Sequence, residues 1–214
     1  MRRTSRWIGA GLFFVAAVVP VFAAMTEAFR NEKVIVTEVT LAPGDYVTVA
    51  DEYASVLVCL SGDLVTIMPV DMAGVVLPRP IQRGDTMSVP ERLREISNSG
   101  HAPLHLVRVE FPGAGSDQTW GMAGLPPNYK VLFEDRHSRT YDIRIAAHAW
   151  EPQHTHHARV VVCLSGAQLE HVLTDGSVQP STLRTDEVVW RLGQTHKGHN
   201  LGDTDLWVVA IEPK

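Results

Sequence analysis

The hydrophobic residues of this chain occur in short runs in which apolar and polar positions alternate. Such runs lie at residues 34–45 (VIVTEVTLAPGD), 56–68 (VLVCLSGDLVTIM) and 141–150 (YDIRIAAHAW), and segments containing Gly, Pro, Asp and Asn separate them. Val, Ile, Thr and Leu dominate the runs, and no long stretch has the 3.6-residue period of a helix. The pattern therefore predicts an all-β chain of antiparallel strands.

The chain contains one strand sequence twice, 104 residues apart. VLVCLSGDLV (56–65) matches VVVCLSGAQL (160–169), and further along NSGHAPLHLVRVEF (98–111) matches NLGDTDLWVVAIEP (200–213). The order of features is the same in both copies. Such a repeat predicts two similar structural units.

We place the two units at residues 34–111 and 131–213. The segment between them, 112–130, is rich in Gly and Pro and is predicted to be a linker. Each unit is predicted to be a small sandwich or barrel, because closure protects the edge strands.

Cys59 and Cys163 are the two cysteines of the chain, and each lies in one copy of the repeated strand. Because the repeat puts them at the same place in separate units, we expect two free, buried thiols rather than a disulfide. Alternation along the strand predicts that Cys163 points into its barrel.

The first 23 residues have the pattern of a secretory signal peptide. Three arginines precede an apolar run, and the run ends in the small-residue site Val21-Phe22-Ala23. We therefore expect an exported protein, periplasmic or secreted, with no stable membrane insertion once residues 1–23 are removed. The alternative is an uncleaved N-terminal membrane anchor.

The charge of the chain argues against a nucleic-acid partner. The formal net charge is −5, and charged residues make up 20% of the sequence without a long run of one sign. A nucleic-acid-binding surface requires a basic patch, which this pattern does not provide. We expect a small-molecule ligand or substrate instead.

Histidines are concentrated in the second unit, which holds eight of the ten. His154 and His156 are two residues apart, a spacing that places both side chains on the same face of a strand. His196 follows about forty residues later. Three converging imidazoles would form a site for a divalent transition metal with open coordination positions.

These residues resemble the two signature motifs of the cupin superfamily, G-x5-H-x-H-x3,4-E-x6-G and G-x5-P-x-G-x2-H-x3-N. His154, His156 and Gly166 match the first motif, and Gly193, His196 and Asn200 match the second, with Arg191 at the place of the usual proline. The matches in both repeats make the chain similar to a bicupin.

The resemblance implies two tandem jelly-roll barrels, also called double-stranded β-helices, with metal ligands inside the second. His154, His156 and His196 are the implied ligands. The metal is a divalent transition ion, with Fe(II) the first expectation and Mn, Ni, Cu or Zn the others. The resemblance also implies a homodimer.

Arg159 stands six residues before Gly166, where the family has a glutamate ligand. Arginine has no acceptor atom and cannot ligate a metal. Either the site uses three histidines and Arg159 faces away, or Arg159 holds a carboxylate or phosphate of a ligand bidentately.

Two further histidines have open positions. His171, in a neighbouring predicted strand, either lines the cavity with Arg159 or faces solvent. The gap after His156 is one residue short of the motif, so His157 competes with it for the ligand role, although an outward orientation is the expectation.

The first unit lacks the histidines. The repeat aligns Ala50, Glu52 and Arg94 with His154, His156 and His196. We therefore expect a first unit without metal ligands that serves as a structural and dimer-forming partner.

Two functions follow for the whole chain. One is a metal-dependent enzyme, dioxygenase-like by family resemblance, with isomerase or lyase chemistry as alternatives and no catalytic residue assigned. The other is a non-catalytic module that binds a small carboxylate or sugar.

Overall fold

The computed structural model describes residues 23–49, 53–70, 76–122 and 124–214. Residues 1–22 lie outside this part of the chain, so the signal peptide stays a prediction. Among the described residues, no helix is long and apolar enough to cross a membrane. The elements of regular structure there are antiparallel strands, as the alternating pattern predicted.

The strands of the first half run from residue 24 to residue 110. In chain order they are β1 Ala24–Arg30, β2 Ile35–Leu41, β3 Tyr46–Thr48, β4 Ser55–Ser61, β5 Leu64–Pro69, β6 Arg79–Pro80, β7 Thr86–Val89, β8 Leu93–Asn98 and β9 Leu104–Glu110. They form a five-stranded sheet in the order β1-β2-β9-β4-β7 and a four-stranded sheet in the order β3-β8-β5-β6.

The strands of the second half repeat this arrangement. They are β10 Tyr129–Glu134, β11 Ser138–Ile145, β12 His154–His156, β13 Arg159–Ser165, β14 Ala167–Leu173, β15 Val178–Leu183, β16 Val188–Arg191, β17 Gln194–Asn200 and β18 Leu206–Pro213. Their sheets have the orders β10-β11-β18-β13-β16 and β12-β17-β14-β15. The strand repeat is longer than the sequence repeat, because β1 precedes residue 34 and β10 begins two residues before 131.

Each half has its own apolar interior between a five-stranded and a four-stranded sheet. In the first half, Leu57 of one sheet and Ile96 of the other share a buried cluster. In the second half, Val161 and Leu169 do the same. Each half is therefore a closed two-sheet barrel of the predicted jelly-roll type.

A third apolar core joins the two barrels. Val56 and Val58 of β4 pack there with Val160 and Val162 of β13, so the outer faces of the two five-stranded sheets meet. The strand sequence occurs twice because each copy is buried on both faces, which selects a continuous run of apolar residues.

The two cysteines lie on the interior face of this repeated strand. Both are free and buried, and Cys163 belongs to the interior cluster of the second barrel. Burial raises the pKa of Cys59 to about 12 and that of Cys163 to about 11, so both stay protonated at neutral pH. The prediction of two packed thiols is confirmed.

Polar contacts from Arg83 reinforce the joint between the barrels. Its Nη1 donates to the carbonyl of Leu60 at 2.6 Å, and its Nε donates to the carbonyl of Leu164 at 3.1 Å. Its Nη2 pairs with Asp186 of the second barrel at 2.6 Å. One side chain thus satisfies the ends of both repeated strands.

The same asparagine shapes the same turn in both barrels. Asn98 Nδ2 donates to the carbonyls of Leu41 and Ala102, and its Oδ1 accepts from the Gly100 amide. Asn200 holds the corresponding turn of the second barrel, with its Oδ1 accepting from the Gly202 amide. The asparagine in the resembled motif therefore positions backbone, close to His196 but not at the metal side.

Candidate metal centre

Three histidines of the second barrel converge in its interior. Strand β12 pairs with β17 so that His154 lies directly opposite His196, while Thr155 and Thr195 hydrogen-bond on the outer side. The alternation of β12 then turns His156 to the same face as His154. The three side chains are buried, and one ligand atom from each lies within 4.8 Å of those of the other two.

The hydrogen bonds of His154 fix which ring nitrogen carries its proton. Nδ1 lies 2.8 Å from the carbonyl of Pro152, which can only accept, so Nδ1 donates. In the neutral ring Nε2 is then an unprotonated acceptor that faces the cluster.

His156 is fixed in the same tautomer through two further residues. Tyr141 donates its hydroxyl proton to Glu212 Oε1 at 2.8 Å, so the Tyr141 oxygen accepts from His156 Nδ1 at 3.2 Å. Glu212 is itself paired with the buried Arg139. This chain of contacts resembles the carboxylate support that orients metal-binding histidines in other sites.

The Nε2 atoms of His154 and His156 lie 2.8 Å apart, and by these assignments neither carries a hydrogen. Two lone pairs at that distance repel unless a cation lies between them. In addition, Nδ1 of His196 is buried without a hydrogen-bond partner. The donor set therefore fits a divalent transition metal held by three neutral imidazoles.

Burial keeps these rings neutral. It is the largest cause that lowers the pKa of His196 to about 3 and that of His171 to about 4. It also lowers the pKa of His156 far below its ordinary value, with the charge of Arg159 as the next cause. Neutral imidazole is the form that binds metals, so no proton competes for these nitrogens at neutral pH.

The histidines open onto a cavity of about 330 Å³ in the barrel. His156 and His196 line it, together with Arg159, His171 and Glu151. His171 stacks on the ring of His196 with centroids 4.4 Å apart. Its side chain therefore faces the cavity, as one of the two sequence expectations had it.

Arg159 also faces the cavity, and the alternative that it points away is wrong. It is 7% exposed, its Nη1 makes long contacts to the carbonyls of His157 and Leu192, at 3.3 and 3.5 Å, and its Nε has no hydrogen-bond partner. Burial lowers the pKa of the guanidinium. A cation is thus held inside the barrel with incomplete local pairing.

His157 is not part of the cluster. Its exposed ring stacks on Trp120 with centroids 4.1 Å apart, and its backbone amide donates to Glu212. The competition between His156 and His157 is therefore resolved in favour of His156.

Sequence reasoning missed two groups at the site. Tyr129 brings its hydroxyl to 3.1 Å from His154 Nε2 and 3.2 Å from His156 Nε2. Glu151 is buried at the cavity wall, and burial raises the pKa of its carboxyl group. The motifs contain neither residue, although the buried position of both in otherwise alternating segments is a sign that is easier to read afterwards.

The first barrel has a leucine where the second has His196. Strand pairing sets Leu173 opposite His196 and, in the first barrel, Pro69 opposite Leu93, because β5 and β8 contain an irregularity at this point. The alignment of Arg94 with His196 is therefore wrong by one residue, and the Arg94 side chain is exposed. Ala50 and Glu52 lie outside the described residues.

The overall structure is similar to three solved structures. AerE from Microcystis aeruginosa has a TM-score of 0.60 at 14% identity, covering 90% of this chain and 98% of that one. A cupin 2 conserved barrel domain protein from Leptotrichia buccalis has a TM-score of 0.57 at 12% identity, covering 94% and 93%. A variant of oxalate decarboxylase from Bacillus subtilis has a TM-score of 0.60 at 14% identity, covering 85% and 69%.

The chain has the cupin fold. The predicted resemblance is thereby confirmed at the level of the fold, including the all-β architecture of two barrels. No protein-family model and no curated protein matches the sequence. In this cupin the cluster of His154, His156 and His196 supports a divalent metal, and the place of the family's glutamate is held by Arg159.

Proposed function

We propose that this cupin is a metal-dependent enzyme that acts on a small organic anion. The observation that carries the proposal is the position of Arg159, a buried cation whose Nε has no partner, in the same cavity as the three-histidine cluster. A buried guanidinium without full pairing is costly, and a bidentate carboxylate would satisfy it.

The other polar groups of the cavity support an anionic ligand. Gln194 lines the cavity and has a buried Nε2 donor without a partner. Arg191 also lines it, with one Nη2 contact to Ser181. Donors thus converge on a space that contains few acceptors, which favours a ligand rich in oxygen atoms.

The remaining wall of the cavity is apolar. It is formed by Ile143, Ile145, Val161, Leu169 and Val208. A volume of about 330 Å³ is at the small end of ligand cavities. The ligand is therefore a small molecule with a carboxylate or similar anionic group and an apolar portion.

The residues have distinct roles in this proposal. A bound divalent metal supplies Lewis-acid or redox chemistry to a ligand that reaches its open positions. Arg159 orients the anionic group of the ligand. Glu151 holds a proton more readily than an exposed carboxylate, because burial raises its pKa, and it faces the cavity.

The reaction class rests on the family resemblance, which favours dioxygen-dependent cleavage, with isomerase or lyase chemistry as alternatives. The test is oxygen uptake by Fe(II)-loaded protein in the presence of a panel of small aromatic and aliphatic carboxylates. A substrate should lose its turnover in Arg159→Gln, while Arg184→Gln, an exposed arginine, should keep it. Turnover of uncharged compounds that is unaffected by Arg159→Gln would contradict the proposal.

A second function, a non-catalytic carboxylate-binding module, is favoured by the same arginine. Arg159 takes the place of a metal ligand, so the chain has exchanged one coordinating group for one binding group. A carboxylate that raises the melting temperature of both metal-free and metal-loaded protein equally, without turnover, would support this function. A stabilisation that requires the metal would support the enzyme.

We also propose that the protein is exported and forms a homodimer. N-terminal sequencing of the mature protein should begin at Ala24 if residues 1–23 are removed. Light scattering on the purified protein should give twice the chain mass, and a monomer at micromolar concentration would contradict the dimer.

A further inference from the structure

Tyr129 points its hydroxyl group at the metal side of the histidine cluster. The residue begins β10 and is 4% exposed. Its oxygen lies 3.1 Å from Nε2 of His154 and 3.2 Å from Nε2 of His156. Both nitrogens are the unprotonated ones, so the hydroxyl can donate its single proton to only one of them.

The spacing of these three atoms matches donors on one metal ion. Two donors bound at about 2.1 Å lie about 3.0 Å apart at an octahedral angle and about 3.4 Å apart at a tetrahedral angle. The observed separations are 2.8, 3.1 and 3.2 Å. The phenol oxygen therefore stands with the two nitrogens as a third corner of one coordination face.

The charge of the site favours an anionic oxygen at this corner. The three histidines are neutral ligands, and the glutamate that the family would supply is replaced by the cation Arg159. A tyrosine oxygen bound to the metal as phenolate restores one negative charge. Its proton has an acceptor nearby, since the Tyr129 hydroxyl also makes a hydrogen bond with Glu151.

The two barrels differ at this position as they differ at the histidines. Tyr129 pairs with Ile143, and in the first barrel Met25 pairs with Val39 at the corresponding place. Met25 is 39% exposed and lies outside the buried clusters. The inward tyrosine thus occurs in the barrel that carries the histidines and is replaced in the barrel where Leu93 stands for His196.

We propose that Tyr129 is the fourth protein ligand of the metal, supplying a phenolate oxygen where the cupin motif would supply a carboxylate. This inference rests on the proposed metal function. It assigns Tyr129 a direct bond to the ion rather than a packing role.

The test is the visible spectrum of the full-length protein loaded with iron. Fe(II) is added anaerobically to the metal-free protein, oxidised to Fe(III) with ferricyanide, and separated from excess reagent. A phenolate bound to Fe(III) gives a charge-transfer band in the visible range, which imidazole ligands alone do not give. We expect this band in the wild-type protein and its loss in Tyr129→Phe.

Tyr141→Phe is the matched control. Tyr141 is a buried tyrosine that contacts Nδ1 of His156, the side of the ring away from His154. At saturating iron this variant should keep the band. Resonance Raman spectroscopy of the wild-type protein, excited within the band, should show tyrosine ring vibrations, and this measurement does not depend on the folding of any variant.

The outcomes separate the inference from the proposed function. Wild-type protein that binds one iron per chain without a phenolate band, or a band that persists in Tyr129→Phe, would overturn the role of Tyr129 and leave the three-histidine site intact. Protein that binds no iron would overturn both.

Discussion

The Nε2 atoms of His154 and His156 face each other at 2.8 Å, and each ring is held in the tautomer that leaves this nitrogen unprotonated. The arrangement is built for a shared cation, because Pro152 and Tyr141 occupy the opposite nitrogens. A metal relieves the repulsion between the two lone pairs. A proton does the same, so acid and metal compete for the same place.

We predict that the metal-free protein loses stability as the pH falls below about 6.5. Buried His171 and His196 have pKa values of about 4 and about 3, below the value of 6.5 in the unfolded chain. The unfolded state therefore binds more protons below pH 6.5, and each histidine contributes a slope of up to about 1.4 kcal/mol per pH unit. Above pH 6.5 both states are neutral and these groups have no effect.

Urea unfolding in the presence of EDTA, at pH 7.5, 6 and 5, measures this slope. His171→Gln should reduce it, whereas His148→Gln, at an exposed histidine, should leave it unchanged. A stability that does not fall between pH 6.5 and 5 would show that the rings titrate normally in the folded state.

Tyr141→Phe should weaken metal binding by about 10- to 100-fold, the usual effect of removing a group that orients a ligand. The phenylalanine keeps the ring but removes the oxygen between His156 and Glu212. Isothermal titration with Mn(II) gives the dissociation constant. Tyr46→Phe, at an exposed tyrosine of the first barrel, serves as the control, and equal affinities for the two variants would contradict the supporting role.

Arg159→Glu should bind metal more tightly than Arg159→Gln. Both variants remove the cation, but only glutamate adds the carboxylate that the cupin motif carries at this position. The difference should be at least about tenfold in the dissociation constant for Mn(II), corresponding to about 1.4 kcal/mol. Equal affinities would mean that the side chain at position 159 does not reach the metal.

Arg83→Ala should lower the free energy of unfolding by about 1–3 kcal/mol, because the carbonyls of Leu60 and Leu164 lose their donor. Arg184 is the residue that the repeat aligns with Arg83, and it is exposed. Arg184→Ala should change the stability by less than about 0.5 kcal/mol. Chemical unfolding of both variants at pH 7.5 compares them, and similar losses would remove Arg83 as the joint between the barrels.

The fold was accessible from the sequence because its strongest signals are local. The alternation of residues predicted strands, and the continuous apolar runs around Cys59 and Cys163 marked strands that are buried on both faces. The same alternation placed His154 and His156 on one face. The pairing of β12 with β17 then set His196 opposite His154.

The rest of the site depends on contacts that no local pattern contains. Tyr129 reaches the histidines from a strand at the start of the second barrel, and Glu151 reaches the cavity from the segment before β12. The one-residue irregularity that puts Leu93 in the place of His196 arises from strand pairing. A linear alignment of the repeats could not detect it.

The most direct test of the account is the metal content of the protein after reconstitution. Metal-free protein is dialysed against Fe(II) under anaerobic conditions or against Mn(II), passed through a desalting column and measured by elemental analysis. The account predicts about one ion per chain in the wild-type protein and near-complete loss in His154→Ala and His196→Ala, with His157→Ala unchanged. Wild-type protein that retains no metal, or variants that retain as much as the wild type, would contradict a metal centre at these three histidines.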